Sequence, residues 1–134
     1  MALLERIKHH EGFRSKAYFC SENHLTIGYG FAIKDLVLDE DIAEMILMRK
    51  LDDLMSRIGK TFPWWKSAED EVKNVVVEMC YQLGVSGFSK FKKTIDHLEH
   101  KRYGKASVEM LDSKWSRQTP NRSIELSNII KNLE

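Results

Sequence analysis

Three polar side chains of different chemistry follow one another near the start of the chain. Glu11 supplies a carboxyl group, Cys20 a thiol nine positions later, and Thr26 a hydroxyl six positions beyond that. Such a set at this spacing is what a glycosidase needs when a short helix and a hairpin surround its cleft. The second group of such a site is normally a carboxylate, so the thiol of Cys20 is the unusual member.

The residues before Glu11 predict a short helix. Over residues 2–10 the apolar side chains Leu3, Leu4 and Ile7 recur on one side, and Glu11 follows Ile7 by four positions on that same side. A carboxyl group that continues an apolar face tends to lose water, which raises its pKa and keeps it protonated longer. We therefore expect Glu11 to be a desolvated acid.

A β-hairpin is predicted to follow the helix, which Gly12 ends as a glycine cap. Residues 17–20 and 25–29 read as two strands around the turn formers of residues 21–24. Thr26 then lies on the second strand and faces the end of the first helix.

The remainder of the chain carries helical periodicity. Asp39 is a candidate N-cap for a long amphipathic helix over about residues 39–58. Residues 67–70 resemble a capping box, and a buried stripe follows that includes Cys80 and stops at Gly84. Three further helices are predicted, at residues 88–102, 105–115 and 120–133.

These patterns predict one mainly α domain (α+β class) with a small antiparallel sheet. We expect a small lobe at about residues 12–38, an interlobe helix at about 39–58, and a helical lobe at about 59–134 that includes the helix at 2–11. A chain of 134 residues with 43% hydrophobic content is long enough for one core and too short for two.

Composition limits the classes of partner. Residues 81–134 hold 10 basic and 6 acidic side chains, a small surplus without the clustered Lys and Arg of a nucleic-acid binder. No apolar run approaches the length of a membrane span. Two cysteines cannot form a disulfide framework, so we expect both to be reduced. We expect a monomer that binds neither nucleic acid nor metal and inserts into no membrane.

Three ordered blocks of sequence carry a family resemblance. They are Glu11-Gly12-Phe13-Arg14 with Ala17-Tyr18 and Thr26-Ile27-Gly28-Tyr29-Gly30, then Tyr81 to Phe88, then Trp115 to Arg122. Together they resemble the T-even-phage type of lysozyme, glycoside hydrolase family 24. The resemblance implies a two-lobed lysozyme-like fold and a phage endolysin without cofactors. Such an enzyme hydrolyses the β-1,4 bond between N-acetylmuramic acid and N-acetylglucosamine in peptidoglycan glycan strands.

The resemblance also implies roles for individual residues. Glu11 matches the general acid of the family, and Thr26 matches the residue that helps hold the attacking water. Gln82, Gln118 and Arg122 match substrate-binding residues of the cleft, and Arg122 is similar in position to an arginine that pairs with the catalytic glutamate. Because the water-holding threonine lies beside the second group, we expect inversion at the anomeric carbon.

Cys20 occupies the position where many family members carry aspartate, although cysteine is also found there. A thiol with a pKa of about 8.5 is mostly neutral at pH 7, so it needs a lowered pKa or must act by polar contact. Nearby Arg14, Lys16 and His24 could favour the thiolate. In the alternative, Cys20 is a filler and Glu22 is the second group.

Two departures from the family separate this chain from its best-known member. Phe31 stands where a histidine is common, and the connection from Gly30 to Asp39 is shorter. A reduced small lobe predicts a more open cleft that grips fewer sugars. Trp64 and Trp65 could stack on sugar rings, although packing is the more common role of aromatics at a helix entry.

Two other functions remain open from the sequence. One is a lytic transglycosylase, in which the muramic 6-hydroxyl replaces water, and the other is a catalytically weak wall-binding module. As a phage endolysin, the protein would be made in the host bacterial cytoplasm and would act in the periplasm after a holin-dependent release.

Overall fold

The computed structural model describes residues 1–134 and divides into two compact units. One unit is Met1–Glu44 and the other is Met45–Glu134, so the boundary falls inside the helix α2 (Glu40–Thr61). The limits of the lobes expected from the sequence stay predictions.

The unit Met1–Glu44 contains one helix and a small antiparallel sheet with strand order β1-β2-β3. A short 3-10 helix, Ile33–Asp35, follows the sheet. The other elements are α1 (Ala2–Glu11), β1 (Arg14–Phe19), β2 (Leu25–Gly28) and β3 (Phe31–Ala32). The predicted helix and hairpin are therefore confirmed, whereas β3 was not predicted because two residues are too few to show alternation.

Local hydrogen bonds explain where α1 and the hairpin turn. Gly12 has a φ of 70°, and its N–H donates to the carbonyl of Lys8 at 2.9 Å, which ends α1 as predicted. At the hairpin, the N–H of Asn23 donates to the carbonyl of Cys20 at 2.8 Å while Asn23 adopts a φ of 63°. Asparagine tolerates this left-handed conformation better than most residues, so the turn forms at the predicted position.

Burial in Met1–Glu44 is slight, and this corrects one expectation. Thr26, 5% exposed, is the one buried residue of the unit, and α1 has none. Glu11 is exposed, so the prediction that it lies desolvated on an apolar helix face is wrong. Leu3 and Ile7 on that face remain about half exposed, at 53% and 47%, because so short a segment encloses little apolar surface.

The unit Met45–Glu134 is helical and holds the hydrophobic core. α5 packs against α4 and α7, and α3 also contacts α7. The helices are α3 (Asp70–Ser89), α4 (Lys92–Glu99), α5 (Tyr103–Leu111), α6 (Lys114–Gln118) and α7 (Pro120–Lys131), preceded by the C-terminal part of α2 and a 3-10 helix, Pro63–Ser67. The fully buried core side chains are Ile58, Val76, Met79, Phe88, Ala106, Met110 and Ile130.

Helix α3 begins and breaks for different reasons. Gly84 has a φ of 77° and a ψ of 159°, which interrupts the helix at the predicted stop before it resumes. The predicted capping box is wrong, because Glu69 is the N-cap and makes no side-chain bond to the helix. The Ser67 hydroxyl instead donates to the carbonyl of Trp64 at 3.2 Å within the preceding 3-10 turn.

Two predicted helices have different limits in the structure. The helix predicted at residues 88–102 covers only Lys92–Glu99 as a separate element. The segment predicted as one helix at residues 105–115 divides into α5 and α6, because the Ser113 hydroxyl accepts from the Ser116 N–H at 3.1 Å and caps a new helix.

The fold class is confirmed as mainly α with a small three-stranded antiparallel sheet. Cys80 is 1% exposed in the core, as expected, and burial raises its pKa to about 12. Trp65 is also buried, and its indole N–H donates to the carbonyl of Lys73 at 3.1 Å, which assigns it to packing. None of the helices combines the length and apolar character that crossing a membrane requires.

Candidate active site

The peptide groups of His24 hold both Cys20 and Thr26. The carbonyl of His24 accepts from the Cys20 backbone N–H at 2.9 Å and from the Thr26 hydroxyl at 2.9 Å. The backbone N–H of His24 donates to the Cys20 sulfur at 3.4 Å. Two of the three predicted catalytic residues are therefore brought together by one residue of the hairpin.

The bond to the His24 carbonyl fixes what the Thr26 hydroxyl can do next. A hydroxyl has one hydrogen to donate and two lone pairs that accept. With its hydrogen directed to the carbonyl, the oxygen of Thr26 is left as an acceptor. Thr26 lies on the central strand, opposite Tyr18 of β1 and Ala32 of β3, so the sheet fixes the backbone position from which its hydroxyl reaches the His24 carbonyl.

The surroundings of Cys20 lower the pKa of its thiol below the ordinary value. The main cause is the hydrogen bond from the His24 backbone, followed by one from the Glu22 backbone. Loss of water around the thiol and, more weakly, the charge of the Glu22 carboxylate act in the opposite direction. Backbone donors, rather than the basic side chains expected from the sequence, therefore favour the thiolate.

Glu11 lies against the turn that joins β2 to β3. A Cβ atom built on Gly30 would overlap Oε2 of Glu11 and would lie 3.1 Å from its Cδ. Tyr29 in the same turn contacts the ring of Phe13 at a centroid distance of 5.4 Å. The Lys8 ammonium lies 5.6 Å from the centroid of the Tyr29 ring. The end of α1 and the turn beyond Thr26 are thus held together.

In Met45–Glu134, two predicted substrate-binding residues are associated with Trp115. The indole N–H of Trp115 donates to Oε1 of Gln82 at 2.9 Å, while the ring is 4% exposed. Gln118 and Trp115 line a cavity of about 530 Å³. Apolar, basic and acidic side chains also line this cavity, among them Leu83, Phe91, Lys90, Lys92, Lys93, Glu109 and Asp112.

Arg122 has a partner that the sequence did not indicate. Its Nε donates to Oε2 of Glu78 at 2.8 Å, which links α7 to α3. The bond engages one of the five N–H donors of the guanidinium, so the terminal nitrogens remain available to a ligand. No sequence pattern pairs positions 44 residues apart, and Glu78 was therefore missed, as was the bond of Trp115 to Gln82.

In one cluster of side chains the ligand atoms are close enough together to bind a metal ion. The ligand atoms of Asp96, Glu99 and His100 lie within 4.8 Å of one another, and all three residues are exposed. Arg102 already donates to Oδ2 of Asp96 at 2.6 Å, so part of the negative charge is neutralised. This cluster is a surface ion-pair network at the C-terminal end of α4, and none of its residues belongs to the predicted site.

The fold indicates the class of this protein, and the sequence indicates its family. The mainly α fold with a small antiparallel sheet agrees with a lysozyme-like protein. A family model described as "Phage lysozyme" matches residues 8–128. The chain therefore belongs to the phage lysozyme family, which confirms the resemblance, and it is a lysozyme-type peptidoglycan hydrolase.

Three relatives agree with this family. The chain is 24% and 26% identical to "Probable T4-type lysozyme 1" and "Probable T4-type lysozyme 2" of Dictyostelium discoideum, over 97% of this chain and 94% of each relative. It is also 26% identical to "Pre-baseplate central spike protein Gp5" of Enterobacteria phage T4. That alignment covers 97% of this chain but 28% of the spike protein.

The lowered pKa of Cys20 gives a prediction that alkylation can test. In a Cys80→Ala variant, the rate of iodoacetamide labelling of the folded protein should rise with pH around a midpoint below that of the same thiol in urea. The thiolate is the reacting form, so a depressed pKa moves the rise to lower pH. A folded-state midpoint equal to or above the unfolded one would contradict the assignment.

Proposed function

We propose that the protein is an inverting muramidase. It hydrolyses the β-1,4 bond between N-acetylmuramic acid and N-acetylglucosamine, serves as a phage endolysin in host cell lysis, and reaches the periplasm through a holin-dependent route. The observation that carries the proposal is the arrangement at His24, where one peptide carbonyl and one peptide N–H orient the Thr26 hydroxyl and the Cys20 thiol. Family membership supplies peptidoglycan as the substrate.

Glu11 is the general acid in this mechanism. Hydrolysis requires a proton for the leaving sugar oxygen, which would otherwise depart as a high-energy alkoxide. The carboxyl of Glu11 is exposed to incoming substrate, and the turn at Gly30 limits its position on one side. Glu11 therefore combines access with a restricted orientation.

Thr26 and Cys20 act on the attacking water. The Thr26 oxygen, whose hydrogen is directed to His24, accepts a hydrogen bond from the water and orients its lone pair toward the anomeric carbon. The Cys20 thiolate lies in the position of the usual carboxylate, and it stabilises positive charge on the oxocarbenium-like sugar and helps to take the proton of the water. The sulfur makes no bond to carbon in this scheme.

The remaining contacts hold the glycan strand. Gln82 and Gln118 offer amide groups that suit sugar hydroxyl and acetamido groups, and Trp115 fixes the orientation of Gln82 through Oε1. Arg122, held at its Nε by Glu78, offers its terminal nitrogens to substrate oxygens. These residues bind the substrate and take no part in proton transfer.

Replacing the acid tests the first step of the mechanism. Glu11→Gln should keep the fold and lose more than nine-tenths of the rate at which permeabilised Gram-negative cells lose turbidity, because the amide cannot donate the required proton. Glu5→Gln is the matched control, because it makes the same change on the same helix at an exposed side chain 3.8 Å from Lys8. A folded Glu11→Gln variant that retains a tenth of the parent rate would rule out this acid.

The products distinguish water attack from its alternatives. Proton NMR of the first-formed anomer should show the α configuration, since a water held by Thr26 attacks the face opposite the leaving group. A β anomer would contradict the mechanism and would make Cys20 a nucleophile. Anhydro-muramic ends in the mass spectrum of digested wall would instead identify a transglycosylase.

A further inference from the structure

We propose that Gly30 is a positioning residue for Glu11 and that its missing side chain defines where the acid lies. The inference rests on the proposed role of Glu11 as the general acid. Gly30 has a φ of 77°, and the space that a Cβ would occupy at this position is taken by the Glu11 carboxyl group. A side chain at residue 30 would therefore meet two obstacles, the backbone conformation and the present position of the Glu11 carboxyl.

The contact between the two residues is close along the whole end of the side chain. A Cβ built on Gly30 overlaps Oε2 of Glu11 and lies 3.1 Å from Cδ and 3.7 Å from Cγ. The neighbouring glycine, Gly28 at the end of β2, faces the ring of Phe31 instead. The contact with the acid is thus specific to Gly30.

An added side chain would displace the acid more readily than the turn. Tyr29 packs on Phe13 and lies beside the Lys8 ammonium, and β2 and β3 pair directly on either side of the turn. The Glu11 carboxyl is the exposed end of a flexible side chain, so it can rotate away. The fold should therefore survive a substitution that the catalytic geometry does not.

The expected consequence is a loss of kcat rather than of substrate binding. A general acid must lie within about 2.6–3.2 Å of the oxygen that it protonates, and a displacement of about 1 Å can lower a rate on the order of 100-fold. Because Gly30 itself need not touch the substrate, KM should change little.

Gly30→Ala tests this inference with two independent readouts. The crystal structure of the variant should show the Glu11 carboxyl moved away from residue 30, and kcat on soluble peptidoglycan fragments should fall at least tenfold while KM changes less than threefold. Gly84→Ala is the matched control, because Gly84 has the same φ of 77° but no atom within 4 Å of a built Cβ. It also places an alanine at a positive φ, and it should keep its kcat.

If Gly30→Ala does not fold, Gly30→Asn is used in its place. Asparagine adds the same Cβ, and it tolerates a positive φ better than alanine does. An unmoved Glu11 carboxyl in a folded variant would overturn the inference. If the Glu11 carboxyl is displaced and kcat is retained, the proposed role of Glu11 as the general acid is overturned. The proposed role of Gly30 in positioning that acid is then overturned as well. An equal loss of kcat in Gly84→Ala would assign the effect to strain and would also overturn the inference.

Discussion

The structure of the candidate site depends on the peptide groups of one residue, His24. Its carbonyl closes the hairpin through the Cys20 N–H and also accepts the hydrogen of the Thr26 hydroxyl, while its N–H donates to the Cys20 sulfur. Backbone dipoles do not titrate, so they stabilise a thiolate without a charged side chain nearby. The hairpin turn thus determines the orientation of the Thr26 hydroxyl and the acidity of the Cys20 thiol, the two candidate catalytic groups that it holds.

This arrangement suits a unit with almost no core of its own. Within Met1–Glu44 only Thr26 is buried, so apolar packing cannot fix the positions of the reactive groups. Hydrogen bonds in the hairpin and close backbone contacts, such as that of Gly30 with Glu11, supply this precision instead. The unit Met45–Glu134 has a continuous hydrophobic core, and there Trp115 and Glu78 orient the candidate substrate-binding residues.

Sequence patterns correctly predicted the structural features that depend only on neighbouring residues. The glycine cap at Gly12, the turn at residues 21–24 and the break at Gly84 follow from residue types that the backbone conformation requires. The capping box failed because the 3-10 turn before α3 engaged Ser67. The bond of Trp115 to Gln82, 33 residues away, and the contact of Gly30 with Glu11 depend on the folded chain, and the sequence showed neither.

The central claim is that the Cys20 thiolate replaces the usual carboxylate, and side-by-side lysis rates of Cys20→Asp, Cys20→Ser and Cys20→Ala test it most directly. Aspartate offers a negative group on a stem of similar length, so Cys20→Asp should remain active. Serine resembles the thiol in size but does not ionise near neutral pH, so it and alanine should each lose at least tenfold. Full activity in Cys20→Ala would contradict the claim and would direct the search for the second group to Glu22.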